Sequence, residues 1–481
     1  MSSQGLSADP SLSANRSPTR SWLVLALICS CQFMVILDSA IINVALPSVQ
    51  EELGFSSVSL AWVVNAYLLT FGGLMLLGGR AADLFGHRAV LVVGMAVFTL
   101  ASLVAGLASS PQMLIAARAV QGGGAALLAP ATLALINSNY SGQDRARAFG
   151  AWSAAGGLGG MAGAIAGGVL TTGLSWRWVF LINVPIGLLL ITGAMVIHAA
   201  SSARQKRAFD LAGAVTGTLG LAAIIYGVMQ TAEHNWSSVY VAGSIAAGLA
   251  LLAAFVITER FLVHDPMLPM RLFAVRNVVV GNAMLALFGS LGIAMWYFTS
   301  LLLQNVLHHS ALQSGLEQTP AAILFVLVAR FTSNLTHRYG VRAVLLGGCA
   351  CLATGFGGLA LFSPAQAYFP GVLVPSLIIA TGIGLVFPTL MGISTSGVPA
   401  HDVGITAGLA STANQVGGAI GLAALTVLAA VTTVGSLGVP AHEAVAAGYT
   451  LVFTIASGLS VAIAALSLFL TSDQRPKRAS I

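Results

Sequence analysis

Hydrophobic residues fill 57% of the 481 positions and charged residues only 7%, more apolar surface than a soluble core of that size can hide. A soluble protein is excluded, and the formal net charge of +6 has to be read against a bilayer. The apolar residues fall into runs of about 20, the length an α-helix needs to cross the hydrocarbon, and backbone groups inside lipid must find their partners within the segment.

Fourteen helical spans are expected, near 21–46, 58–79, 89–108, 111–137, 148–172, 177–198, 211–231, 238–258, 278–305, 316–335, 341–361, 368–390, 404–432 and 446–470. An even number puts both termini on one side. Arg16, Arg20, Arg80, Arg88, Arg145, Arg147, Arg204, Lys206, Arg207, Arg260, Arg271, Arg276, Arg338, Arg342, Arg475, Lys477 and Arg478 fall in alternate loops and the tails; these are 17 of the 20 Lys and Arg. Only Arg177 falls in an opposite loop, and Arg118 and Arg330 lie within spans. Positive charge is retained in the cytoplasm, so both termini are expected there. This asymmetry accounts for the basic balance without nucleic acid. The first twenty residues are Ser-rich, and the apolar run after them is too long for a signal-peptide core, so no cleavage is expected.

The first span carries Asp38 in Leu37-Asp38-Ser39-Ala40-Ile41-Ile42-Asn43-Val44-Ala45-Leu46-Pro47. A carboxylate at the helix centre costs about 3 kcal/mol on insertion scales, which points to a proton or substrate site facing the protein interior. Asp38 lies roughly 12 Å from the outer end of its span and Arg118, in span 4, roughly 10 Å from the outer end of its own. Equal depth and opposite sign predict an ion pair, either a proton-coupling element or a static lock between spans 1 and 4. Glu317, at the outer start of span 10, is the second acidic candidate: a relay or cation-neutralising group, or an ordinary carboxylate favoured by the helix dipole.

The loop after span 2 contains Gly79, Arg80, Asp83, Gly86, His87 and Arg88, and the loop after span 10 contains Gly340 and Arg342. Aligned, Gly86 falls on Gly340 and Arg88 on Arg342, a weak internal repeat of the kind left when two six-helix halves share one origin. Spans 7 and 8 then read as a pair inserted between the halves. Within the spans, Gln32, Asn43, Asn65, Tyr67, Gln121, Trp296, Tyr297, Gln304, Asn414 and Gln415 suit a mixed apolar and hydrogen-bonding cavity, or equally polar glue between helices. Trp62, Trp176 and Trp178 near span ends read as interface anchors. Cys29/Cys31 and Cys349/Cys351 are spaced for opposite helix faces and suit neither a disulfide nor a metal. Neither Lys206 nor Lys477 closes a phosphate loop, and the nine histidines form no metal-binding spacing. No cofactor, metal or enzymatic activity is expected.

These stretches resemble the major facilitator superfamily, in particular its fourteen-helix drug:proton antiporters, over essentially the whole chain. The Asp38 run is similar to the family's LDxTIVNVALP, with Ala40 where Thr is usual. The loop after span 2 resembles GxLxDRxGRK/R, keeping Gly79, Asp83, Gly86 and Arg88 but carrying Leu84 and His87 at usually basic positions. Arg118-Ala119-Val120-Gln121-Gly122 is similar to RxxQG. Trp176-Arg177-Trp178-Val179-Phe180-Leu181-Ile182-Asn183-Val184-Pro185 resembles WRWIFxINVP, and Asn414-Gln415-Val416-Gly417-Gly418-Ala419 resembles RQVGGA with Asn for Arg. Span 5 matches GxxxGPxxGG at Gly159, Gly163, Gly167 and Gly168, which permit close helix packing, but Ala164 replaces the proline.

The resemblance implies an all-α membrane protein with two six-helix bundles, 21–198 and 278–470, two additional helices within 199–277, and cytoplasmic tails 1–20 and 471–481. It implies proton coupling at Asp38 and Arg118, a cytoplasmic gate at Gly79, Asp83, Gly86 and Arg88, and alternating-access export of a small amphipathic drug, lincomycin- or puromycin-like, by a monomer in the cell membrane. A proton-linked importer or metabolite facilitator on the same scaffold is the alternative, for which Ala164 speaks; a non-transporting sensor would have no large soluble domain to signal through.

Overall fold

The computed structural model describes residues 18–196, 210–262, 268–362, 367–399, 402–435 and 440–470. Of the expected tails, residues 1–17 and 471–481 lie outside these residues, as does the basic segment 204–207; residues 18–20, expected in the tail, already belong to the first helix, which begins at Pro18. Among the described residues there is no strand, and fourteen helices are long and apolar enough to cross a membrane. They are α1 (Trp22–Leu53), α2 (Ser59–Phe85), α3 (His87–Gly106), α4 (Pro111–Asn139), α5 (Gly142–Gly173), α6 (Trp178–Val196), α7 (Leu211–Gln230), α8 (Val239–Phe261), α9 (Arg276–Val306), α10 (Ala311–Tyr339), α11 (Val341–Ala360), α12 (Tyr368–Ser394), α13 (Val403–Gly435) and α14 (His442–Phe469). Being multi-pass follows from this set.

Local chemistry sets the ends. Ser110 caps α4 by accepting from Met113 N at 3.3 Å, with Pro111 in the first turn, and Ser310 caps α10 by accepting from Gln313 N at 3.2 Å, as expected of helix-start serines and prolines. The boundary that departs furthest from the sequence expectation has a physical reason. Helix α1 continues through Pro47 to Leu53, because one proline removes one ladder bond and neighbouring helices support the rest. Helix α13, expected over 404–432, runs unbroken from Val403 to Gly435.

Helix α1 packs on α5, α2 and α3 on α4, and α6 on α3; in the second half α9 packs on α13 and α12, α10 on α12, and α11 on α12 and α14. The two sets meet along α5 with α10, α2 with α13, and α1 with α9. Helices α7 and α8 pack on each other, and α7 touches both α2 and α13. The inserted hairpin therefore flanks a seam between the sets.

We call the end at which α1 begins and α14 finishes the terminal end and its opposite the distal end. Among the described residues, hydrogen bonds across the seam include three at the distal end. Ser300 Oγ donates to Asn43 O at 3.0 Å, Gln304 Nε2 to Val44 O at 3.1 Å, and Leu312 N to Thr172 Oγ1 at 3.1 Å. A fourth, Thr412 Oγ1 to Gly72 O at 3.0 Å, lies at mid-height.

Candidate functional site

Asp38 is fully buried among four other helices. Arg118 Nη1 donates to its Oδ2 at 2.6 Å. The other oxygen, Oδ1, accepts from Gln121 Nε2 at 2.7 Å and from Asn183 Nδ2 at 2.8 Å. Three residues apart, Arg118 and Gln121 share one face of α4, and Arg118 Nη1 also reaches Gln121 Oε1 at 2.7 Å. Ser102 Oγ, from α3, accepts from Gln121 Nε2 at 2.6 Å and Asn183 Nδ2 at 3.4 Å. Arg118 Nε donates to Val63 O on α2 at 3.0 Å, and the guanidinium lies 4.3 Å from the Tyr67 ring centroid and 5.8 Å from that of Phe180.

A buried carboxylate is tolerable when its lone pairs are filled and its charge opposed, and here both conditions hold. The cluster draws Asp38 from α1, Val63 and Tyr67 from α2, Ser102 from α3, Arg118 and Gln121 from α4, and Asn183 from α6. It lies inside the first set of helices and away from the seam. Three of its members lay outside the sequence-derived site: Val63, which takes part through its backbone carbonyl, Asn183 and Ser102. Asn183 sits within Ile182-Asn183-Val184, and its signals were a lone amide in an apolar run and its place in the stretch that resembles WRWIFxINVP. Ser102 had none, because serine is common in spans.

The other expected residues divide by location. Gln121 and Tyr67, placed with the cavity by sequence, serve the Asp38 cluster instead. Asn65 Nδ2 faces Met229 Sδ on α7 at 3.9 Å. Gln32 lies against Gly156 of α5. Asn43 and Gln304 meet the seam between α1 and α9, and Trp296 and Tyr297 occupy a π-type turn of α9 (Ala294–Phe298) close to it. Asn414 and Gln415 of α13 abut Gly289 of α9 and Gly72 of α2 respectively. Asn43 Oδ1, Tyr297 Oη and Asn414 Oδ1 are buried with no hydrogen-bond partner. These three orphaned groups lie on helices that form the seam.

At the α2–α3 turn Gly86 takes φ 93°, and at the α10–α11 turn Gly340 takes φ 88°, a region other residues rarely adopt. Two residues on, Arg88 Nε donates to Ala194 O at 2.7 Å and its Nη2 to Met195 O, at the end of α6. Arg342 Nη2 reaches Leu468 O at 3.1 Å and Ser467 O at 3.3 Å, at the end of α14. The repeat legible in sequence is thus a repeat of function in space: each arginine caps the last helix of its own half. Asp83, half-exposed, faces His87 Nε2 at 3.8 Å, and Gly79 sits beside Pro130 of α4.

Glu317 falls in the second turn of α10, where its Oε2 meets His309 Nδ1 at 2.8 Å and its Oε1 accepts from Gln313 Nε2 at 3.1 Å. Its carbonyl accepts from Tyr368 Oη at 2.7 Å. His309 was not singled out by sequence. Trp176, expected at the interface, is instead 2% exposed and donates to Glu52 Oε2 at 2.7 Å beneath Arg177.

The α5 glycines face two ways. A Cβ at Gly159, Gly163 or Gly167 would lie 2.6–2.7 Å from Phe33 O, Ala40 Cβ or Ile41 O of α1, and one at Gly168 would lie 2.8 Å from Ala311 O of α10. Ala164 adds to the second face, for its carbonyl is 2.3 Å from where a Cβ on Gly315 would sit.

The comparisons with known proteins agree with this architecture. Residues 28–422 match the family model described as Major Facilitator Superfamily. The cephamycin export protein CmcT of Amycolatopsis lactamdurans is 44% identical over 424 residues, covering 87% of each chain. The puromycin resistance protein pur8 of Streptomyces alboniger is 36% identical over 470 residues, 95% of this chain and 92% of that one. Among solved structures, the POT family transporter PepTSo superposes with a TM-score of 0.70 over 95% of this chain and 98% of its own at 13% identity, a likeness of fold. By its fourteen helices, its motifs and these matches, the chain belongs to the Major Facilitator Superfamily.

Proposed function

We propose that this protein is a proton-driven exporter of a small amphipathic antibiotic, working by alternating access between the two sets of helices, with both termini in the cytoplasm. The observation that carries the reading is the buried Asp38–Arg118 pair and its brace of Gln121, Asn183 and Ser102. A proton on Asp38 cancels the charge that holds Arg118, leaving a guanidinium whose partners must be re-sorted among α1, α2, α4 and α6. Proton binding thereby becomes a change in how these helices pack, and release restores the pair.

The drug path runs along the seam, where Asn43, Tyr297 and Asn414 carry orphaned polar atoms among apolar neighbours, the mixture that suits an amphipathic ligand. With the termini in the cytoplasm, the distal hydrogen bonds between α1 and α9 and between α5 and α10 support assigning this arrangement to a state closed to the outside. The names of the relatives, a cephamycin export protein and a puromycin resistance protein, support an antibiotic as cargo. Energetically one proton suffices: a unit charge crossing 100 mV supplies about 2.3 kcal/mol, equivalent to roughly a fiftyfold concentration gradient.

The test is a panel of antibiotics against a host lacking its own efflux pumps, with and without a protonophore. Expression raises the inhibitory concentration of at least one amphipathic antibiotic, and the protonophore abolishes the increase. Drug uptake into inverted vesicles under an imposed proton gradient sets the direction; drug leaving those vesicles means import.

A further inference from the structure

Helix α1 runs through Pro47 without a break. A proline inside a helix has no N–H to give to the carbonyl four residues back, and its ring pushes that carbonyl off the ladder. Here that carbonyl belongs to Asn43. Its replacement donor comes from the other half of the molecule: Ser300 Oγ of α9, at 3.0 Å. The next carbonyl, Val44 O, accepts from Gln304 Nε2 at 3.1 Å. Both acceptors lie at the break in the α1 ladder.

Ser300 is arranged to reach this carbonyl. A serine within a helix commonly returns its proton to the carbonyl four residues back, as Ser39 does to Val35 and Ser460 to Ala456. The single hydroxyl proton of Ser300 crosses the seam instead. Gln304 Nε2 donates to Ser300 Oγ at 3.2 Å, which occupies a lone pair and leaves the proton to Asn43. Ser300 stands on the short α turn Thr299–Leu301, between π turns at Ala294–Phe298 and Leu302–Val306. Such turns change the direction in which the following side chains face, and they recur at functional sites. Ser300 is fully buried, whereas the distal bond from Leu312 N to Thr172 Oγ1 is exposed and open to exchange with water.

We propose that Ser300 and the Asn43 carbonyl freed by Pro47 form the latch of the distal gate, so that the closed state is held by a backbone acceptor that α1 cannot satisfy by itself. The inference rests on the alternating-access reading, since it says what holds one of the two states. When the halves part, Asn43 O has no ladder donor to fall back on, and a buried carbonyl without a partner is costly. Water has to take the place of the Ser300 hydroxyl, so the distal end opens only as water reaches the proline.

Double electron–electron resonance on the purified full-length protein reads the latch without drug or proton gradient. Spin labels go on Leu174→Cys and Leu361→Cys, both exposed and at the distal end of opposite halves, with Cys29, Cys31, Cys349 and Cys351 replaced by alanine. The ratio of long to short label distances is expected to rise about fivefold in Ser300→Ala, the weight of one ordinary hydrogen bond. Pro47→Ala, which returns an N–H to Asn43 O, is expected to raise it similarly. The double variant is expected to match the single variants, because both substitutions undo the same bond. Either single variant at the wild-type ratio, or a double variant at the product of the two effects, overturns the latch. Should Pro47→Ala not give a monodisperse size-exclusion peak, Pro47→Gly supplies the same N–H and takes its place under the same criteria. A protein that shows this coupling yet moves no drug keeps the latch and loses the exporter reading.

Discussion

Asn183 donates to Asp38 through the carboxylate oxygen that Arg118 leaves free, at 2.8 Å. Helix α6 thereby holds the acid of α1 in place while α4 opposes its charge. A hydrogen bond to a charged group contributes about 1.5–3 kcal/mol. Asn183→Leu is expected to lower stability by about 2 kcal/mol, read as a reduced melting temperature in detergent, and to displace the pH profile of transport. An unchanged profile would make Asn183 a packing residue only.

Arg118 carries a larger penalty. Removing one member of a buried pair leaves an uncompensated charge and costs about 3–5 kcal/mol. Arg118→Ala is expected to reduce folded yield strongly. The double variant Asp38→Asn/Arg118→Gln is expected to recover folded protein, seen as a monodisperse size-exclusion peak, without recovering uphill transport. Lys at position 118 retains the charge but not the fork that reaches Asp38 and Val63 together, so Arg118→Lys is expected to fall between the two.

The caps at the ends of α6 and α14 give a test of the internal repeat. Arg88→Ala and Arg342→Ala each remove a cation from a helix C-terminus, worth about 1 kcal/mol. Because the two sites lie in different halves, the losses are expected to add. Thermal unfolding of the two single variants and the double variant measures this; a strongly non-additive double variant would mean that the two ends communicate.

The distal closure depends on close approach. A Cβ at Gly315 would lie 2.3 Å from Ala164 O, so Gly315→Val is expected to part α5 from α10 and to favour the form open at the distal end. Cysteines placed at Ser300 and Thr172 are then expected to react several-fold faster with a membrane-impermeant maleimide. No change in labelling would mean that the contact is not part of the gate.

Much of this was legible before any coordinates because a membrane imposes strong rules. Apolar runs of about 20 residues gave the spans, and the depth argument put Asp38 and Arg118 at one level. Gly86 and Gly340 announced their turns because few residues adopt positive φ. What stayed hidden depends on rotation about helix axes, which run length does not encode. Gln121 and Tyr67 turn toward Asp38 and not toward the seam; Trp176 tucks under Arg177; Ser102 and His309 acquire meaning only from what lies opposite.

In the proposed exporter Asp38 converts proton flow into drug movement. The most direct measurement is drug flux in proteoliposomes of the wild type and Asp38→Asn, with and without an imposed pH gradient. The wild type is expected to concentrate drug against its gradient when protons run the other way, and Asp38→Asn to equilibrate drug but never concentrate it. An Asp38→Asn protein that folds and still concentrates drug under the pH gradient would contradict the account.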